Sequence, residues 1–286
     1  MRLVTVATGA GPRACAEHAG RYVDLRAADP GLPATVRGIL ALGDEGRGRV
    51  AAAAAAGSVG HDPATCTLLP PVPDPGKIVC LGLNYRDHAR EIGAEPPAEP
   101  ILFSKYPSSL VGPGAAIVLP AISDEVDFEA ELVVVIGRRG KDVPRGAAMG
   151  LVGGYTIGND VSARDWQLKK PGKQWMAGKT FDTFAPTGPA VVTADEVPDP
   201  HALGIRLRLN GATMQDSSTA ELIFRVDAIV AHLSRLFTLE PGDLIFTGTP
   251  PGVGMARTPP AWLRPGDRVE VEVDGLGVLA NPVAAG

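Results

Sequence analysis

Ile205-Arg206-Leu207-Arg208-Leu209 alternates apolar and charged side chains at every step and runs straight into Asn210-Gly211. Period two is the mark of a half-buried strand, and Asn-Gly is the strongest signal for a type I′ hairpin. Asp274-Gly275 after Val269–Val273 gives a second hairpin signal. Short apolar runs at Lys77–Leu81, Ile101–Ser104, Ala115–Leu119, Val126–Ile136, Gly153–Asp160 and Ala190–Thr193 predict further strands. One segment has helical spacing instead: Leu222, Ile223, Val226, Ile229, Val230, Leu233, Leu236 and Phe237 recur at three and four. Ser218 with Glu221 forms a capping-box pattern ahead of it, and Pro241-Gly242 closes it.

Residues 1–70 read differently from the rest. They offer short strands at Leu3–Ala7 and Tyr22–Leu25 and an Ala-rich helix around Arg49–Ala56. Pro70-Pro71-Val72-Pro73-Asp74-Pro75-Gly76 follows and cannot be helical. The expected organisation is therefore a small N-terminal α/β region, residues 1–70, ahead of a larger region, residues 71–286. The expected class is α+β, dominated by strands.

Composition narrows the function. The chain has 286 residues, 45% of them hydrophobic, and a net charge of −5. With no basic block, nucleic acid and anionic membrane surfaces are poor partners. No apolar run approaches the roughly 18 residues of a membrane-spanning helix. The opening Met1–Ala7 stretch reads as a strand, being too short for a signal-peptide core. Three cysteines, Cys15, Cys66 and Cys80, have no Cys-x-x-Cys spacing, so a reduced, cytosolic setting is expected. The five histidines do not pair at metal-ligand spacing, which disfavours zinc and leaves hard oxygen ligands for Mg²⁺ or Mn²⁺.

The carboxylates supply those oxygens. In Asp127-Phe128-Glu129-Ala130-Glu131-Leu132, a strand places Asp127, Glu129 and Glu131 on one face, where they repel one another unless a cation neutralises them. Asp160 closes a second strand, and with Glu129 and Glu131 it makes a three-oxygen half-shell. Such a shell leaves positions for water and for a chelating 2-oxo acid. Arg164 and Asp165 read as a local salt bridge shaping the turn. His88 and Glu91, three apart on a short helix, form a carboxylate-oriented imidazole suited to activating water. Lys179, among small and aromatic residues, is placed to stabilise an enolate or oxyanion. The Gly- and Thr-rich loop Thr247–Gly254 offers N–H groups and hydroxyls for a substrate carboxylate. Arg86–Ala98, running through Gly93, Pro96 and Pro97, has the make-up of a lid.

Together these segments resemble the fumarylacetoacetate hydrolase family, in its bacterial acylpyruvate hydrolase-like and heptadienedioate isomerase-like branch. The matching pieces are Gly82–Glu91, Phe103-Ser104-Lys105, Asp127–Leu132, Gly158–Gln167, Gly178–Phe184, Gln215–Phe224 and Thr247–Gly254, in the family's order over about residues 75–283. The resemblance implies a mixed β-roll, a homodimer, and Mg²⁺ or Mn²⁺ held by Glu129, Glu131 and Asp160. It assigns His88 and Glu91 to water activation and Lys179 to the enolate. Lys105, Gln167 and Thr249 are assigned to the substrate pocket, and Asp127 to a non-ligand, outer or solvent-facing place. The implied activity is hydrolysis of a C–C bond in 2,4-dioxo acids. Decarboxylation of oxaloacetate, dienoate isomerisation and dehydration are the alternatives on the same site, and a non-catalytic metal-binding scaffold is the alternative of a different class.

Overall fold

The computed structural model describes residues 1–286. The strand-dominated α+β class holds. A long mixed sheet runs in the order Gly60–His61, Arg21–Asp24, Gly11–His18, Arg2–Thr8, Ala185–Thr193, Val152–Asn159, Ala130–Ile136, Leu244–Phe246, Ile78–Gly82, Ile101–Ser104. A second sheet of five strands, Ala212–Ser218, Gly204–Leu209, Arg268–Val273, Gly277–Ala285 and Ile117–Leu119, packs against it.

Ala130–Ile136 shows why the apolar run is continuous rather than alternating. Leu132, Val134 and Ile136 face a core shared with Ile205, Leu207, Val269 and Val271 of the second sheet and with the Val226–Leu236 helix. Val133 and Val135 point the other way, into a core with Ile78, Leu244, Phe246, Leu3, Val36 and Ile39. A strand buried on both faces needs no polar side. The division expected at residue 70 is crossed by sheet hydrogen bonds, because Arg2–Thr8 pairs with Ala185–Thr193, Leu3 opposite Val191.

Three elements differ from expectation. The Val126–Ile136 strand is two: Val126–Asp127 pairs with Ser162–Ala163, and Ala130–Ile136 pairs with Val152–Asn159. The long helix begins only at Val226; Ser218 caps a single 3₁₀ turn, Thr219–Glu221, instead. Between them Asn84 fixes the backbone of Phe224, accepting its N–H and donating to its carbonyl. Asn210-Gly211 makes the expected two-residue turn, with φ of 53° and 82°. The Asp274 hairpin closes instead over three residues, Val273 pairing with Gly277.

The site lies where two parallel strands end. Ile78–Gly82 and Leu244–Phe246 run side by side. Their C-terminal ends feed Leu83–Tyr85, ahead of the Arg86–Glu91 helix, and the Thr247–Gly254 loop.

Candidate metal centre and catalytic cleft

Sheet register assembles the carboxylates. Ala130 pairs with Asn159, so Glu129 and Asp160 are the next opposed pair, joined by the Asp160 N–H to the Glu129 carbonyl at 2.9 Å. Asn159 accepts the Glu129 N–H through its side chain at 2.9 Å, which pins the chain as it leaves the ladder. Glu131, two residues on, shares the face of Glu129. One oxygen from each of Glu129, Glu131 and Asp160 lies within 4.8 Å of the others, and all three residues are buried.

Cations surround two of the three. Lys179 Nζ donates to Glu129 Oε2 at 2.7 Å and to Asp160 Oδ2 at 2.9 Å. Arg164 donates to Glu129 Oε1 at 2.6 Å and to Asp127 Oδ2 at 2.9 Å. Lys105 meets Asp160 Oδ1 at 2.6 Å. Burial pushes the Glu129 carboxyl up, but Lys179 and Arg164 outweigh it and hold it down at about 2. Glu131 has no ion-pair partner and accepts only the Gly248 N–H, at 2.7 Å. Burial, and then the charges of Asp160 and Glu129, push its carboxyl well above the usual carboxylate range.

Four buried carboxylates, Asp127, Glu129, Glu131 and Asp160, thus face three buried cations, Lys105, Lys179 and Arg164. The shortfall falls on Glu131. A divalent cation fits this donor set, because it is all hard oxygen and lacks the charge such an ion brings.

A cavity of about 230 Å³ opens beside the centre, lined by Glu129, Lys179, His88, Arg164, Gln167 and Thr249 together with a large apolar wall. His88 Nδ1 lies 2.8 Å from Glu91 Oε2. Glu91 Oε1 accepts the Gly252 N–H at 2.8 Å, so the carboxylate is fixed from both sides. Gln167 accepts from Arg164 at 2.9 Å. Thr249 Oγ1 donates to the Ala130 carbonyl at 2.9 Å and accepts from Gln215 at 2.8 Å.

Several expectations are corrected by this geometry. Lys105 is not in the cleft: its buried ammonium donates to the carbonyls of Val161, Lys179 and Phe184 and pairs with Asp160. Of the two places expected for Asp127, it takes the outer one and not the solvent-facing one: it is fully buried and takes the N–H groups of Gly254 and Met255 besides Arg164. Arg164 does not pair with Asp165, which accepts from Ser123 and from the Trp166 N–H. Three N–H groups of the Thr247–Gly254 loop, those of Gly248, Gly252 and Gly254, are occupied by the protein's own carboxylates, Glu131, Glu91 and Asp127. The sequence pointed to no role for Trp175, nor for Phe103 and Gln215, which lie in matched segments. The one available signal was the spacing of Trp175 and Lys179, four apart on a short helix.

A buried acidic triad whose oxygens suit a divalent cation thus lies beside a cleft that holds a histidine–carboxylate pair. The chain belongs to the fumarylacetoacetate hydrolase family: the pattern of the fumarylacetoacetate hydrolase C-terminal region matches residues 77–284. It is 49% identical over 264 residues to the mitochondrial oxaloacetate tautomerase of Xenopus laevis, covering 92% of this chain and 83% of that one. It is similar in structure to the maleylpyruvate hydrolase of Sphingobium sp. SYK-6 in complex with manganese(II) and pyruvate, with a TM-score of 0.82, 32% identity and full coverage of both chains (100% each). A 2-hydroxyhepta-2,4-diene-1,7-dioate isomerase from Mycobacterium marinum matches with a TM-score of 0.75 and 35% identity, covering 100% of this chain and 98% of that one. The Xenopus relative is named as mitochondrial, as are bovine and human relatives. This overturns the cytosolic assignment drawn from the cysteines, since free thiols report a reducing environment without naming the compartment. No helix is long and apolar enough to cross a membrane.

Proposed function

We propose that the chain is a divalent-metal-dependent hydrolase that cleaves the C–C bond of 2,4-dioxo acids. The observation that carries this reading is the His88–Glu91 pair, 2.8 Å apart, with His88 lining the same cavity as Glu129 and Lys179. Glu129, Glu131 and Asp160 would hold Mg²⁺ or Mn²⁺, which when bound supplies a Lewis acid for the 2-oxo acid's carboxylate and keto oxygens.

The rest is done by side chains. Glu91 accepts the Nδ1 proton of His88, which leaves Nε2 free as a base. Nε2 takes a proton from water, and the hydroxide adds to the distal carbonyl carbon. The bond between that carbon and the methylene breaks, and its electron pair passes into the enolate of the 2-oxo acid. Lys179 stabilises the enolate oxygen. The methylene carbon then takes the proton back from the imidazolium, giving a carboxylic acid and a 2-oxo acid. Gln167 and Thr249 orient the substrate at the cavity wall, and the active particle is a homodimer.

A second reading, keto–enol tautomerisation of oxaloacetate, is favoured by the 49% identity to the Xenopus tautomerase. It uses the same base and lysine but adds no water. The two are separated by incubating the Mg²⁺-loaded protein with an acylpyruvate and with oxaloacetate, following product release and enol decay. We expect acylpyruvate cleavage that is lost on chelation and falls at least about 100-fold in His88→Ala. Acceleration of oxaloacetate enol decay with no cleavage of any acylpyruvate would replace the first reading by the second.

A further inference from the structure

We infer that the group beyond the 2-oxo acid is a short uncharged hydrocarbon or aromatic chain, not a second carboxylate, and that Trp175 and Phe103 select it. The inference rests on the reading of the cleft as one that takes 2-oxo acids.

Charge comes first. Both cations lining the cavity already have opposite partners: Arg164 has Asp127 and Glu129, and Lys179 has Glu129 and Asp160; the His88 imidazole is tied to Glu91. The substrate's own 2-oxo-carboxylate end is accounted for by the metal centre. No lining cation is left for a distal carboxylate, and burying an unpaired one is costly.

The wall is apolar and built. Leu83, Ile92, Ile101, Phe103, Trp175 and Met255 all face the cavity. Trp175 lies edge-on to Phe103, with ring centroids 5.7 Å apart. Gly82 makes room for it, since a Cβ there would fall 2.1 Å from the Trp175 ring. Phe103 in turn lies under Lys179 Nζ, 5.2 Å from the ring centroid. The aromatic surface therefore starts at the ammonium that meets the enolate, where the acyl chain leaves the reacting carbons.

The rim points the same way. Ile92, Ile101 and Met255 are 46%, 37% and 36% exposed. Three large apolar side chains left in water around one opening mark a surface that a ligand covers. The volume, about 230 Å³, lies under the roughly 300–1,000 Å³ of pockets for drug-sized ligands, so the chain is a few carbons or one ring. Oxaloacetate, with its distal carboxylate, is a poor match to this wall.

The test has a binding arm and a turnover arm, both with Mg²⁺-loaded protein. In the binding arm, uncleavable 2-oxo acids are compared by calorimetry: 2-oxopentanoate and 2-oxohexanoate against 2-oxoglutarate. We expect about fourfold tighter binding per added methylene, and 2-oxoglutarate at least tenfold weaker than 2-oxopentanoate. Trp175→Ala should flatten the methylene series. Trp175→Arg, which supplies the missing cation, should reverse the order toward 2-oxoglutarate. In the turnover arm, butanoylpyruvate and benzoylpyruvate should exceed fumarylpyruvate in kcat/KM. Equal or tighter binding of 2-oxoglutarate by the wild type overturns the inference. Tight binding of the uncharged series with no cleavage of any acylpyruvate leaves the inference standing and removes the hydrolase reading.

Discussion

Three main-chain carbonyls and one carboxylate converge on the Lys105 ammonium, which is fully buried. It ties the Asp160 turn to the Lys179 helix and to Phe184, so it sets the positions of two groups at the centre without facing the cleft. Lys105→Met should lower stability by about 3–5 kcal/mol in urea unfolding, since Asp160 would remain as a buried, half-compensated charge. A lysine that held the substrate carboxylate would behave otherwise, with KM raised and the unfolding midpoint unchanged. The residue type was legible in the sequence and the partners were not: an isolated lysine reads alike whether it faces a ligand or a ring of carbonyls. Glu129 and Glu131 were legible because period-two alternation is local. Asp160 joins them through a cross-strand pair, which the sequence hinted at only by ending a strand there. The Thr247–Gly254 loop was seen as a supplier of N–H groups, correctly in chemistry, but the anions they hold belong to the protein.

At the scale of elements, the helix that supports the core shows where periodicity stops being informative. Leu222 and Ile223 keep the helical spacing of the residues after Val226, yet Asn84 and a bridge between Tyr85 and Leu222 hold this stretch extended. The true start is capped from a distance: the Val226 N–H donates to His201 Nε2 at 3.0 Å. An imidazole can accept only while neutral. Burial and then Arg225 lower the His201 pKa, with Asp199 and Asp227 opposing. A lowered folded-state pKa gives stability that is present above the ordinary histidine value and lost as pH falls through the lowered one. Wild-type protein should therefore weaken with acidification below about pH 6.5 through this group. His201→Ala should cost about 1 kcal/mol at neutral pH, as loss of a cap does, and should lose that part of the pH dependence. Urea melts of both proteins at stepped pH read this directly; parallel curves over the whole range would show that His201 is no cap. Neither Ser218 nor Glu221 should substitute for it, since the turn they frame ends before the helix begins.

The whole molecule is organised around one sheet, and the proline-rich stretch after residue 70 marks a change in composition that this sheet does not follow. Local chain properties made that stretch conspicuous. The pairing of Arg2–Thr8 with Ala185–Thr193 is a contact between segments far apart in sequence, invisible to any local pattern. Leu3 is fully buried in a core with Val133, Val191, Leu244 and Phe246. Residues 1–70 therefore add strands to the sheet, and their helical segments pack on its face opposite the second sheet and share its core. All three tryptophans, Trp166, Trp175 and Trp262, lie outside residues 1–70, so their fluorescence reports only the larger region. Leu3→Ala should remove about 2–5 kcal/mol, the usual cost of such a cavity. If the two regions unfold as one unit, the tryptophan transition in urea moves to lower denaturant together with the far-UV circular dichroism. An independent N-terminal domain would instead leave the tryptophan midpoint in place and split the circular dichroism into two steps. The shared core and the continuous ladder favour the joint shift, and with it a carboxylate cluster whose stability depends on a segment far from it in sequence.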